Sequence, residues 1–230
     1  MNRLAALFVL LSLLTTSCNN REEKTVKFVS ADAVYFDYQV WGDDEKGMIT
    51  VMLQYREGDA DGKPVSLKPP SKAELDGRLL DTGSTKSSGA YYEYSTTIDS
   101  FAGKHSIVFT DKTGRQYEEK FEFKPFRFVA AWPEIISRQD IELELEGMNK
   151  KDYIRVIALD TVFRSRGINE TDTVKNGKLI ITKGQLKNLA NGPIRLELYK
   201  EEEIPVKNGT SAGGYLLITY GLKRNFELTD

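Results

Sequence analysis

From residue 34 onward apolar and polar side chains alternate with a period of two, the mark of half-buried strands rather than helices. In Val34-Tyr35-Phe36-Asp37-Tyr38-Gln39-Val40-Trp41 the even positions Phe36, Tyr38 and Val40 form one apolar face. Gly42-Asp43-Asp44-Glu45-Lys46-Gly47 reads as a turn, and Ile49, Val51, Leu53 and Tyr55 then alternate with Thr50, Gln54 and Arg56. This predicts a hairpin with one wet and one dry face. Lys68-Pro69-Pro70-Ser71 belongs to no central strand, because proline cannot donate to the ladder. Asp76-Gly77 accepts the positive φ of a two-residue type I′ turn and predicts a tight hairpin. Further strands are expected over 91–98, 105–111 and 117–123, the last two joined through Lys112-Thr113-Gly114-Arg115.

Lys124-Pro125-Phe126 interrupts the pairing and marks a boundary. Beyond it Ile141, Leu143 and Leu145 alternate with Glu142, Glu144 and Glu146, and residues 153–159 are almost continuously apolar. Leu179-Ile180-Ile181 precedes the one helix-like turn, over 183–189. Ile194, Leu196 and Leu198 alternate again, and 215–228 closes the chain as one long strand or hairpin. No run of ten to fifteen residues carries a helical moment, which argues against parallel α/β folds. The expected fold is all-β, with two antiparallel immunoglobulin-like sandwiches at 25–125 and 126–230. Each half has its own alternating apolar face, so each is expected to fold by itself.

Composition agrees with this picture and removes some functions. A chain of 230 residues, 40% hydrophobic and 29% charged, has enough apolar material for two cores of ordinary domain size. Lys and Arg number 32 against 34 Asp and Glu, a formal net charge of −2, so the basic footprint of a nucleic-acid binder is missing. One cysteine allows neither a disulfide nor a cysteine-based metal site.

That cysteine ends the N-terminal segment. Met1-Asn2-Arg3 supplies a positive start, 4–14 is apolar apart from Ser12, and Thr15-Thr16-Ser17 leads into Cys18. The apolar stretch is far short of the roughly 20 residues that span a bilayer, so 1–17 reads as a signal peptide. Small residues directly before the sole thiol resemble a bacterial lipobox, cut before Cys18 and acylated there with palmitate or a similar chain. Thr15 stands where the usual leucine would be. Residues 18–24 are polar and form a lipidated tether, whose Glu22-Glu23 resembles a surface-export signal.

Asp76-Gly77, Gly89-Ala90-Tyr91-Tyr92, Phe101-Ala102-Gly103-Lys104, Phe109-Thr110-Asp111, Gly114 and Phe121-Glu122-Phe123 together resemble the immunoglobulin-like domains of Bacteroidetes outer-membrane lipoproteins. Asn191-Gly192-Pro193-Ile194, Gly213-Gly214-Tyr215, Tyr220 and Arg224 are similar to the second domain of such chains. The resemblance implies a fold and a compartment, the outer membrane and possible exposure at the cell surface. It carries no activity.

Candidate chemistry is sparse. Asp81-Thr82-Gly83 resembles the catalytic turn of aspartic proteases, but that reaction needs two such aspartates and the motif occurs once. Asp59-Ala60-Asp61-Gly62 resembles half a calcium loop whose twelfth position is Pro70, not glutamate. Asp43-Asp44-Glu45 reads as a solvated loop. His105 is the only histidine, so no multi-histidine metal site forms, and its parity with Ile107 and Phe109 reads as a strand end. Trp132-Pro133 is expected to wedge the halves together.

The most suggestive constellation is Tyr35, Asp37, Gln39 and Trp41, two rings bracketing two hydrogen-bonding side chains on the odd face of the first strand. Rings that stack on sugar faces beside amides and carboxylates make a possible glycan-binding site. The competing reading packs both rings under a neighbour. Asp160-Thr161-Val162 and Asp172-Thr173-Val174 resemble O-glycosylation acceptors, at Thr161 and Thr173. The expected function is a non-catalytic accessory or scaffold lipoprotein, without a cofactor, that binds a protein partner in an outer-membrane complex. The alternative is a surface module for an oligosaccharide, and a hydrolase is a remoter third.

Overall fold

The computed structural model describes residues 33–230; the expected signal peptide, Cys18 and the expected tether lie outside the described residues. Two antiparallel strands open the fold, β1 (Val34–Asp43) and β2 (Met48–Glu57), joined by the expected turn. Their pairing places Phe36 opposite Tyr55, Tyr38 opposite Leu53 and Val40 opposite Val51, all six buried. On the far side of β2 lie β6 (Gly89–Thr97) and then β5 (Asp81–Thr85) at the sheet edge. A second sheet, ordered β4 (Arg78–Leu79), β3 (Lys72–Leu75), β7 (Gly103–Thr110) and β8 (Gln116–Phe123), packs over the dry face. Asp76 and Gly77 turn β3 into β4 with φ of 51° and 76°, as that turn type requires. The short α1 (Ile98–Phe101) leads from β6 into β7.

The second half contains β9 (Arg127–Phe128), β10 (Ile135–Ser137), β11 (Ile141–Glu146), β12 (Lys151–Asp160), β13 (Ile168–Lys175) and β14 (Lys178–Ile181). After them come α2 (Lys183–Leu186), β15 (Gly192–Pro205) and β16 (Gly214–Thr229). Thr182 caps α2, accepting from the Gln185 amide while the Gln185 side chain accepts from the Thr182 amide. The inward residues of β11 and β14 share one hydrophobic cluster with those of β12 and β15, so this part of the sheet folds back on itself. The chain is all-β with sandwich-like layering in both halves. No helix among the described residues is long and apolar enough to cross a membrane.

The strand pairing does not follow the division at residue 125. β15 and β16 pair along their whole common length, from Gly192 with Leu228 to Pro205 with Tyr215. The first part of β16 then runs parallel to β1, from Phe36 beside Gly214 to Asp43 beside Gly221. One twelve-stranded sheet results, β5-β6-β2-β1-β16-β15-β12-β13-β14-β11-β9, with β10 alongside β16. Tyr220 packs edge-on against Phe123 and Phe126, whereas Phe226, farther along the same strand, packs on Trp132. The strand that reads as the close of the second half is therefore the central wall of both. Gly214 permits the contact, since a Cβ there would lie 2.3 Å from the Phe36 carbonyl oxygen. Trp132 wedges no joint: it packs on Phe128 and Phe226 within the second half.

Candidate binding surface

The outer face of the long sheet carries the odd residues of β1. All four side chains singled out in the sequence lie on it, but they do not make an open pair of rings. Tyr35 is 8% exposed and meets Tyr215 edge-on at 5.8 Å. Its hydroxyl is pushed up to about 12 by burial and by the Tyr215 hydroxyl beside it. Asp37 is held by Arg56, whose Nε donates to Oδ2 at 3.0 Å, and Gln39 Nε2 donates to Oδ1 at 3.2 Å. The carboxylate and the amide are thus occupied with each other and with β2. Only Trp41, 38% exposed, keeps an accessible ring. Tyr215 arrives because β16 flanks β1, a neighbour that local periodicity does not announce. Trp41→Ala is expected to cost about 1–2 kcal/mol in urea denaturation, roughly half the cost of a core aromatic, since part of its area is already in water. A loss of 4 kcal/mol or so would mean that the indole is structural.

Charges stitch this face across the boundary. Lys223 pairs with Asp43 at 2.8 Å, Arg224 pairs with Asp44, and Arg195 grips both oxygens of Glu45 at 3.0 and 2.8 Å. Burial alone would raise Asp43, yet the Lys223 ammonium and the Lys46 amide hold it below the usual carboxylate range. The solvated turn of the sequence reading is instead a clasp between the β1–β2 hairpin and β15–β16.

The other motifs resolve as structure. Asp81-Thr82-Gly83 lies in edge strand β5 with the Asp81 side chain exposed. Asp59 accepts from the Asp61 amide in a surface loop. His105 stacks on Phe101 with centroids 3.9 Å apart, and its Nδ1 sits 2.7 Å from Asp76 Oδ2, so it braces the Asp76-Gly77 turn. Thr173 is half-buried on β13, and Thr161 is exposed in the loop between β12 and β13.

The end of β12 and that loop together carry exposed apolar side chains close in sequence. Leu159, Val162 and Phe163 are all open, Phe163 to 86%. Asp160 fixes the loop: its carboxylate accepts from the Val162 amide at 2.9 Å, the Ser165 hydroxyl at 2.7 Å and the Ala190 amide at 2.7 Å. Burial opposes the charge, but these donors hold Asp160 below the ordinary range. Arg164 adopts φ 67°, strained for a bulky side chain, and its guanidinium lies 5.3 Å over the Phe163 ring. Gly167 closes the loop where a Cβ would come within 2.7 Å of the Ala158 carbonyl oxygen. A loop fixed in this way that presents a solvent-facing ring beside Arg164 is a pre-organised contact. Phe163 ahead of Arg164 and Arg166 is plain in the sequence, but only the Asp160 bonds distinguish a held loop from an ordinary polar one.

No family model and no curated protein sequence matches the chain. Among solved structures, the IG1+IG2 fragment of DIP-gamma aligns at 6% identity over 85% of this chain and 95% of that one, with a TM-score of 0.25. The fibronectin(III)-like modules of Clostridium thermocellum CbhA align at 8% identity over 82% and 91%, with a TM-score of 0.23. The Yersinia pseudotuberculosis adhesin InvE aligns at 14% identity over 86% of this chain and 59% of that one, with a TM-score of 0.23. Overlap at these scores is loose, and nothing about binding follows from it.

Proposed function

We propose that the protein is a non-catalytic binding module, held to the outer membrane through acylated Cys18, that presents the β12–β13 loop to a protein partner at the cell envelope. One observation carries this reading. Because β1 runs parallel to β16, the chain enters the described fold beside Gly213 and Gly214, at the start of β16. The β12–β13 loop begins at Asp160, level with Ile194 and hence with Phe226 near the other end of β16. Twelve strand rises of about 3.3 Å separate those levels, so the loop stands about 40 Å along the sheet from the point where the chain enters the described fold. The exposed Phe163 ring is therefore displayed at the end of the sheet remote from the chain's entry into the fold.

Affinity capture of the acylated full chain from native membranes tests this. Phe163→Ser should remove a partner that wild type retains while leaving stability within about 0.5 kcal/mol, as for other exposed positions. Cys18→Ala should move the protein out of the detergent phase, since stable anchoring needs acyl chains. Undiminished capture by Phe163→Ser would reject the loop as the contact, and membrane partition of Cys18→Ala at the wild-type level would reject the anchor. A second reading, an oligosaccharide on the outer face, keeps the open indole of Trp41 in its favour, between Thr50 of β2 and Thr219 of β16.

A further inference from the structure

Where the two halves meet, a cleft of about 430 Å³ lies between the start of α1 and the ends of β9 and β11. Ile98, Asp99, Pro125, Phe126, Arg127 and Tyr220 are among the residues that line it. The volume falls within the usual size of small-ligand sites, and such sites favour domain junctions. Tyr220 is only 5% exposed, and its hydroxyl, which keeps contact with solvent, makes no hydrogen bond among the described residues. The charges around it are unequal. Arg127 is paired with Glu146 at 2.8 Å, Lys223 with Asp43 and Arg224 with Asp44, whereas Asp99 has neither an ion pair nor a hydrogen bond. The unneutralised charge of the lining is therefore negative. Burial first, then Asp44 and Asp43 against the opposing Arg224, push the Tyr220 hydroxyl up to about 12, with Asp99 adding the smallest contribution.

We propose that this cleft binds a primary alkylammonium group. The ammonium donates to the Asp99 carboxylate and to the Tyr220 phenol oxygen, and the hydrocarbon stem lies along Ile98 and Pro125. A free amine and a lysine side chain of another protein share this chemistry. The site is remote from the β12–β13 loop, so it stands or falls separately from the function proposed above.

Calorimetric titration of the full chain, with hexane-1,6-diamine and separately with a blocked Gly-Lys-Gly peptide, decides the matter. Saturable binding is expected for at least one probe, weakened tenfold or more by Asp99→Asn and about fivefold by Tyr220→Phe. The latter keeps the ring and its packing, and an unchanged unfolding midpoint checks that the fold survives. Tighter binding of the diamine assigns a free amine, and tighter binding of the peptide assigns a lysine side chain. No saturable heat with either probe overturns the proposal, as does equal affinity in both variants or equally strong binding of uncharged hexan-1-ol.

Discussion

Residues 25–125 expressed alone are expected to give no cooperative unfolding transition, while the full chain unfolds in one. The fragment would contain β1 to β8 and both layers of the first half, but not the strand beside β1. In the full chain eight residues of β1, Phe36 to Asp43, are registered against Gly214 to Gly221. Removing β16 strips the ladder from that edge and takes Leu216, Ile218 and Tyr220 away from the core that Phe36, Tyr38 and Val40 enter. It also leaves a long apolar edge strand open to pairing with other chains, the arrangement natural sheets avoid. Circular dichroism of the fragment in a urea series is the measurement. A sharp transition with a midpoint near that of the full chain would mean that the shared strand adds little and that the halves are independent units.

Phe36→Ala should destabilise the whole protein by about 3–5 kcal/mol, as truncation of fully buried aromatics does. The ring is 1% exposed and lies stacked 5.5 Å from Tyr38, with Tyr55, Phe109 and Tyr117 at 5.7, 5.3 and 5.9 Å. These rings come from β1, β2, β7 and β8, so the contact ties the two sheets of the first half together. Its backbone also sits against Gly214, so a cavity here lies beside the shared strand. Denaturant midpoints of wild type and variant at equal m-value give the difference. A loss below 1 kcal/mol would show a core loose enough to refill the site.

What the chain revealed of itself followed the range of each signal. The β1–β2 hairpin, the Asp76-Gly77 turn and the Glu-rich alternation of β11 depend on neighbours in sequence, and all are found. β5 and β13 were missed because their stretches, Asp81-Thr82-Gly83-Ser84-Thr85 and Asn169-Glu170-Thr171-Asp172, hold too little apolar material for a period to register. They are strands because a longer neighbour pairs with them. The parallel match of β1 with β16 lies beyond any local pattern, since about 175 residues separate the partners and nothing in either strand names the other. The same gap hid the fate of Tyr35, which reads as a solvent-facing ring until Tyr215 is placed beside it. Trp41, 38% exposed, escapes the packing that covers Tyr35, and nothing in the local pattern separates the two rings. The loop around Phe163 is legible as a stretch of residues but not as a held one, because Ala190, one of the donors that fix Asp160, lies 30 residues away.

The parallel seam between β1 and β16 also determines how the molecule bears mechanical load. A pull applied between the N-terminal end of β1 and the far end of β16 draws the two strands past each other along their length. The inter-strand hydrogen bonds are then loaded together in shear, rather than one after another as in a hairpin peeled from its tip. The Asp43–Lys223 and Asp44–Arg224 clasps sit at the end of that seam and resist the same sliding. Tension between a tethered N-terminus and a partner at the β12–β13 loop would thus run through the connection least suited to opening stepwise.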